Sequence, residues 1–272
     1  MNPHHLYDPG IRCLLRVTGE DALPFLQNLV TNDVRAVSEG RMQYACLLTA
    51  QGQVLHEFFI LPGEEGGYFL DCVAEEKADF VRRLSMYKLR SRVNFDDTEN
   101  YHVYAALSFE REMAHVFPDP RLAALGYRIY TKEKLPADSS ALYDDFCISL
   151  GVPTARAIKA GKDYIAALNL DLLGAVSWEK GCFVGQELTA RMHHRGLARK
   201  RLLIVEGAHL KAGNVIFQSD IEVGEIRAVN AQQQQGLALL KLEVLQRPDA
   251  PLLDSDKNLI KIHVPAYLLQ KS

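Results

Sequence analysis

The chain has 272 residues, of which 48% are hydrophobic, 24% charged and 8% aromatic, and its net charge is −3. That length suits two or three coupled units better than one core, and the weak negative charge excludes a general electrostatic draw to nucleic acid or anionic membrane. No apolar run reaches the ~20 residues needed to cross a bilayer.

The opening stretch MNPHHLYDPGIRCLLRV has neither a basic-then-apolar segment nor an Arg/Ser-rich amphipathic presequence. A cytoplasmic location is therefore expected, with the mitochondrial matrix after processing as the alternative. A strand is predicted at 11–17. The helix that follows starts in GEDALPFLQNLVTNDV, with Asp21 as N-cap and Pro24 in the first turn, where its missing N–H costs nothing. Ala22, Leu26, Leu29 and Val30 share its apolar face, and Asn32-Asp33 supplies turn chemistry at its far end. Strands are predicted at 42–49, 54–61 and 68–73, a helix at 75–87 and a strand at 92–96. Within the second of these strands, His56 and Glu57 read as alternating surface positions rather than an acid/base pair.

A second unit starts near Tyr101, with strands in HVYAALSF and GYRIYTK and a helix in SSALYDDFCISLGVP closed by Gly151 and Pro153. From Lys200 onward, short apolar runs broken by Gly, Asn, Asp and Gln predict a small barrel or sandwich. The units are drawn at residues 1–97, 98–196 and 197–272.

The five cysteines, Cys13, Cys46, Cys72, Cys147 and Cys182, form no C-x-x-C pair, so no permanently bound metal is expected. The first four sit among apolar neighbours and read as small core residues. Cys182 differs. It lies in KGCFVGQELTARMHHRG, where Gly181 and Gly185 permit backbone conformations or close approaches that a Cβ would obstruct. With a helix starting near Val184 or Gly185, the dipole and Lys180 would favour the thiolate. Glu187, Arg191 and Arg195 follow at four-residue steps on one face, Leu188 and Met192 mark an apolar stripe, and Gly196 ends the helix. The adjacent His193 and His194 cannot point the same way on a helix, so a protein-only metal site is not expected there. Trp178 reads as a packing residue. The plainer reading of the stretch is a glycine-rich linker with a capped surface helix.

Lys180, Gly181, Cys182, Phe183, Gly185, Gln186, Glu187, Arg191, Arg195 and Gly196, supported by VTGEDALPFLQNLVTNDV, LLTAQGQVLHEFFI and NLDLLGAVSWEKGC, resemble the folate-binding YgfZ family. That family includes mitochondrial iron–sulfur assembly factors. The resemblance implies an α+β fold like that of the glycine-cleavage aminomethyltransferase (T-protein): two α+β units and a C-terminal β-barrel around a central opening. It implies tetrahydrofolate as ligand and iron–sulfur client or assembly proteins as partners; the candidate folate contacts are Asn32, Asp33, Asn169, Asp171 and Arg191, although Asn169 and Asp171 read first as caps of the next element. Cys182 would be the functional thiol with Lys180 beside it, and Gly181, Gly185, Gln186, Glu187, Arg191 and Arg195 would shape the motif. An accessory factor is the leading reading. The alternative is a folate-dependent one-carbon transferase, although the Lys-Gly-Cys motif is not a T-protein feature and His56-Glu57 replaces an Asp-Asp pair.

Overall fold

The computed structural model describes residues 5–98, 100–109, 115–194, 196 and 198–269. The N-terminal part runs β1 (Leu6–Tyr7), β2 (Arg12–Thr18), α1 (Ala22–Leu29), β3 (Gln43–Leu48), β4 (Val54–Pro62), β5 (Tyr68–Val73), α2 (Lys77–Lys88) and β6 (Asn94–Asp97). Strands β2 to β6 and helix α2 fall within about two residues of their expected ends, which is ordinary fraying, whereas β1 was not expected. Strands β2 to β6 make one antiparallel sheet in the order β3-β4-β5-β2-β6.

This sheet is buried on both faces. Side chains alternate along each strand, so Leu15, Val17, Phe58, Ile60 and Leu70 turn toward α1 and α2 and close a core with Leu26, Phe80 and Leu84. Leu14, Tyr44, Phe59, Leu61 and Phe69 turn the other way, into a larger core shared with the rest of the chain. The expectation of a surface for His56 and Glu57 is thereby overturned: they are 4% and 8% exposed, because a strand covered on both sides has no wet face. His56 packs on Phe80, its ring nitrogens 3.0 Å from Glu76 and 3.0 Å from Asp79, and Glu57 pairs with Arg12. Asp21 stands at the N-cap of α1 without capping it. Its carboxylate accepts the Arg92 N–H at 2.7 Å instead.

A second sheet is built from β7 (His102–Ala106), β8 (Val116–Pro118) and β9 (Tyr127–Thr131), with β1 crossing over to give the order β1-β7-β9-β8. Helix α3 (Ser140–Ser149) follows and stops before Gly151, whose φ of 75° continues no right-handed helix. Residues 158–185 then make turns rather than helix or strand. Even so, Ile165, Leu168, Leu170, Leu173 and Ala175 lie in the shared core. Helix α4 (Gln186–His194) comes next.

The last part holds β10 (Lys200–Glu206), β11 (Val215–Gln218), β12 (Ile221–Val229), β13 (Gln235–Lys241), β14 (Leu252–Asp254), β15 (Leu259–His263) and the short α5 (Ala266–Leu269). The strands close in the order β10-β13-β12-β11-β14-β15. Of the two sequence readings, barrel and sandwich, it is a barrel, and closure leaves no strand edge open. Buried polar ties fasten the barrel to the middle of the chain: Arg201 to Asp171 at 2.6 Å, Arg227 to Asp163 at 2.9 Å, and Tyr267 to the Gly151 carbonyl at 2.6 Å. No helix among the described residues is long and apolar enough to cross a membrane.

Candidate functional site

The loop ahead of α4 is pinned on both sides of one thiol. Lys180 is 7% exposed, and its ammonium donates to the carbonyls of Gln27 (2.7 Å), Val30 (2.6 Å) and Asn32 (2.9 Å). Phe183 is buried in the shared core and lies under the same ammonium, 5.4 Å from ring to nitrogen. Cys182, between them, is exposed. Burial pushes the Lys180 pKa down to about 8, with Asp33 opposing and Arg35 adding to the shift. The ammonium expected beside the thiol is instead an anchor: its three N–H groups serve the end of α1, so the loop is held in place and the thiol stays outside.

Gly185 is required where it stands. Its φ is +79°, and a Cβ would come within 2.5 Å of the Thr49 carbonyl and 3.0 Å of the Gly52 Cα. The motif thus docks, backbone against backbone, on the turn between β3 and β4. Gly181 corrects the expectation made for it: its φ is not left-handed, and a Cβ there would meet nothing within 4 Å. The helix starts at Gln186, a little later than expected, with the Gln186 N–H on the Phe183 carbonyl at 3.2 Å. Glu187 and Arg191 pair along its exposed face at 2.9 Å. Gly196 has φ +59°, and its N–H reaches the His193 carbonyl at 3.3 Å. Arg195 lies outside the described residues. Trp178 is half-buried and stacks on His193, centroids 3.8 Å apart and planes 13° from parallel.

The five residues proposed as folate contacts are engaged with the chain itself, in separate places. Asn32 donates to the carbonyls of Tyr44 and Gly174, each at 2.7 Å, and accepts the Asp33 N–H. Asp33 accepts from Gln27 and caps the following turn through the Arg35 N–H. Asn169, at φ 63°, donates to the Leu202 carbonyl and Tyr267, while its Oδ1 is buried without a hydrogen bond. Asp171 holds Arg201, and Arg191 holds Glu187.

A second cluster escaped the sequence reading. Arg12, Glu57, Phe59 and Asp71 share one face of the first sheet, and Arg128 and Tyr130 of β9 meet them. Asp71, wholly buried, accepts from Arg12 (2.7 Å), Arg128 (2.6 Å) and Tyr130 (2.9 Å). Arg121 grips Asp119 through two bonds of 2.9 and 2.7 Å and reaches Tyr143 at 2.9 Å. All three guanidinium groups surround the Phe59 ring, at 5.5, 5.1 and 4.1 Å for Arg12, Arg121 and Arg128. Burial alone would raise the Asp71 and Asp119 carboxyls, but the arginines outweigh it and hold both below the usual carboxylate range. Three cations thus face three anions, Glu57, Asp71 and Asp119. A cleft of about 160 Å³ opens here, bordered also by Tyr143, Cys147 and Arg156. The signal was present in IRCLL, FLDCV and YRIY, where a single charge interrupts an apolar strand and so must be paired inside.

Residues 7–108 match the GCVT N-terminal domain, and residues 199–268 match the CAF17 C-terminal beta-barrel domain. The mitochondrial iron-sulfur cluster assembly factor IBA57 of Mus musculus is 31% identical over 87% of this chain and 77% of its own length. The Homo sapiens protein of the same name gives the same three values. The Neurospora crassa homolog is 30% identical over 92% of this chain and 62% of its own length. In three dimensions the glycine cleavage system aminomethyltransferase T of Bartonella henselae superimposes with a TM-score of 0.75 at 15% identity, covering 97% of this chain and 86% of that one. The expected aminomethyltransferase-like fold is therefore the fold observed.

Proposed function

Because the chain belongs to the family of the iron–sulfur cluster assembly factor IBA57, we propose that it works in the assembly or repair of iron–sulfur proteins, with Cys182 as the functional thiol. The observation that carries this is the pinned loop: buried Lys180 and Phe183 flank an exposed Cys182. A thiol presented so can attack, or ligate iron, without any movement of the core behind it. One thiolate does not hold a cluster, so a cluster in transit would take its other ligands from a client or assembly protein. The motif's YgfZ pattern supports the wider folate-binding grouping as a finer reading. The mitochondrial names of the relatives support the matrix alternative over the cytoplasm.

Tetrahydrofolate, a carrier of one-carbon units when bound, is the ligand we assign to the arginine cleft. Glu57 offers a carboxylate to the pterin N–H groups, and Arg156, exposed at the rim, a cation for the glutamate tail, while Phe59 lies buried among the arginines that line the cleft. The cleft's volume of about 160 Å³ is below the ~300–1,000 Å³ of most ligand pockets, so only the flat ring end would enter. In cells depleted of this chain, wild type should restore four-iron enzyme activity and Cys182→Ser, at equal abundance, should not. Restoration by the serine variant would overturn the assignment. Calorimetric titration with tetrahydrofolate tests the ligand separately: binding should survive Cys182→Ser and weaken in Glu57→Gln. Release of a modified folate would select the transferase alternative.

A further inference from the structure

Cys13 and Cys72 stand directly opposite each other on antiparallel β2 and β5, and their sulfur atoms are 3.7 Å apart. Both are free thiols; Cys13 is half-buried and Cys72 is 2% exposed. We propose that the pair is a redox-responsive modification site, which a hydroperoxide converts to a Cys13–Cys72 disulfide within the folded chain. It is separate from the Cys182 chemistry and does not depend on it.

The backbone already suits the bond. Residues facing each other across antiparallel strands have Cβ atoms about 4.5–5.5 Å apart, and a disulfide needs about 3.5–4.5 Å. Rotation of the two side chains and a small approach of the strands close that gap, with no hydrogen-bonded ladder to unzip. The two sulfurs are also unequal in a useful way. Cys13 has the open side, so it meets the oxidant, while Cys72 lies behind it. The two sulfurs share a contact in which either can donate, and that pairing outweighs burial and, with the Lys77 charge, brings the Cys13 pKa below the usual thiol range. That same pairing with Cys13, followed by burial, pushes Cys72 up. Cys46 and Cys147 are buried, and burial pushes both their thiols up, so neither competes for the oxidant.

The steps balance. The Cys13 thiolate attacks the hydroperoxide: the S–O bond forms, the O–O bond breaks, and the alkoxide, or hydroxide, leaves with a proton. Cys72 then attacks the Cys13 sulfenic acid. The S–S bond forms, the S–O bond breaks, and hydroxide takes the Cys72 proton and departs as water. Two thiols lose two electrons and the hydroperoxide gains them. Arg12 and Asp71 adjoin the pair on the opposite face of the sheet, so the bond would also lock together the two strands that carry the Arg12–Asp71 ion pair of the cleft.

The test uses the purified, reduced full chain, treated with equimolar hydrogen peroxide at neutral pH. It is then denatured, alkylated, digested without reductant and mapped by mass spectrometry. The expected product is a peptide linking Cys13 to Cys72, with loss of two of the five free thiols, reversed by dithiothreitol. The link should form equally in Cys182→Ser and be absent in Cys13→Ser. Recovery of Cys13 and Cys72 as alkylated thiols while Cys182 is oxidised would overturn the proposal, and so would Cys13 recovered as sulfinic acid with no link. The wild-type map decides the matter even where a variant folds poorly.

Discussion

A lysine ammonium has three N–H bonds, and Lys180 gives each to a different carbonyl, on residues 148 to 153 positions away in sequence. The motif made Lys180 visible, and its position beside Cys182 suggested an effect on the thiol. Only the folded chain shows that the charge is directed inward. Lys180→Met keeps the length of the side chain but leaves three buried carbonyls unpaired, and should cost about 3 kcal/mol in urea unfolding at neutral pH. The sign of the pH dependence follows from the direction of its shift. With the native pKa lowered to about 8 from 10.5, the unfolded chain between those values holds a proton that the native chain has released. Stability from this group is therefore fully present above the upper value and is lost as pH falls through the lower one. Unfolding at pH 7 and at pH 9.5 should show wild type gaining on the methionine variant at the higher pH.

Elements were more legible than side-chain roles. Short apolar runs bounded by turn residues placed β2 to β6, and helical spacing placed α2, to within about two residues, since local backbone preference acts over a few neighbours. What they do not report is the second face of a strand. His56 and Glu57 alternate in a run that reads as half-buried, yet another layer covers the face assumed to be wet. The two motif glycines separate in the same way. Gly185→Ala meets both a left-handed φ and the Thr49 carbonyl, and should cost about 2–3 kcal/mol. Gly181→Ala meets open space and should stay within about 0.5 kcal/mol. Thermal unfolding of the two variants, side by side, checks the assignment of Gly185 to docking.

Across the whole molecule, Asp71 joins the two sheets. Its carboxylate receives Arg12 from one sheet and Arg128 and Tyr130 from the other. Asp71→Asn leaves two buried guanidinium groups short of their counter-charge, and should cost about 3–5 kcal/mol, read as a lowered unfolding midpoint in guanidinium. Asp71 and Asp119 both have depressed pKa values. Their stabilisation is complete above the ordinary carboxylate range and disappears as pH falls below it. The barrel is attached by the same kind of contact, Arg201 to Asp171 and Arg227 to Asp163. That explains why Asn169 and Asp171, which the sequence offered to a ligand, serve the barrel junction.

Strand and helix periodicity and the change of texture at Lys200 determined most of the elements, while the KGCFVGQE motif marked the one cysteine that differs from the rest and carried the family resemblance that implied the fold class. These are properties of neighbours along the chain, where a few residues carry the whole signal. Tertiary structure decided which charges meet. Arg12, Asp71, Arg121 and Arg128 are drawn from three separate stretches, Cys13 faces Cys72 across a strand pairing, and Lys180 reaches back to α1. Such pairings depend on burial in a medium where an unpartnered charge is too costly to keep. Only the packing of distant segments says which partner will be there.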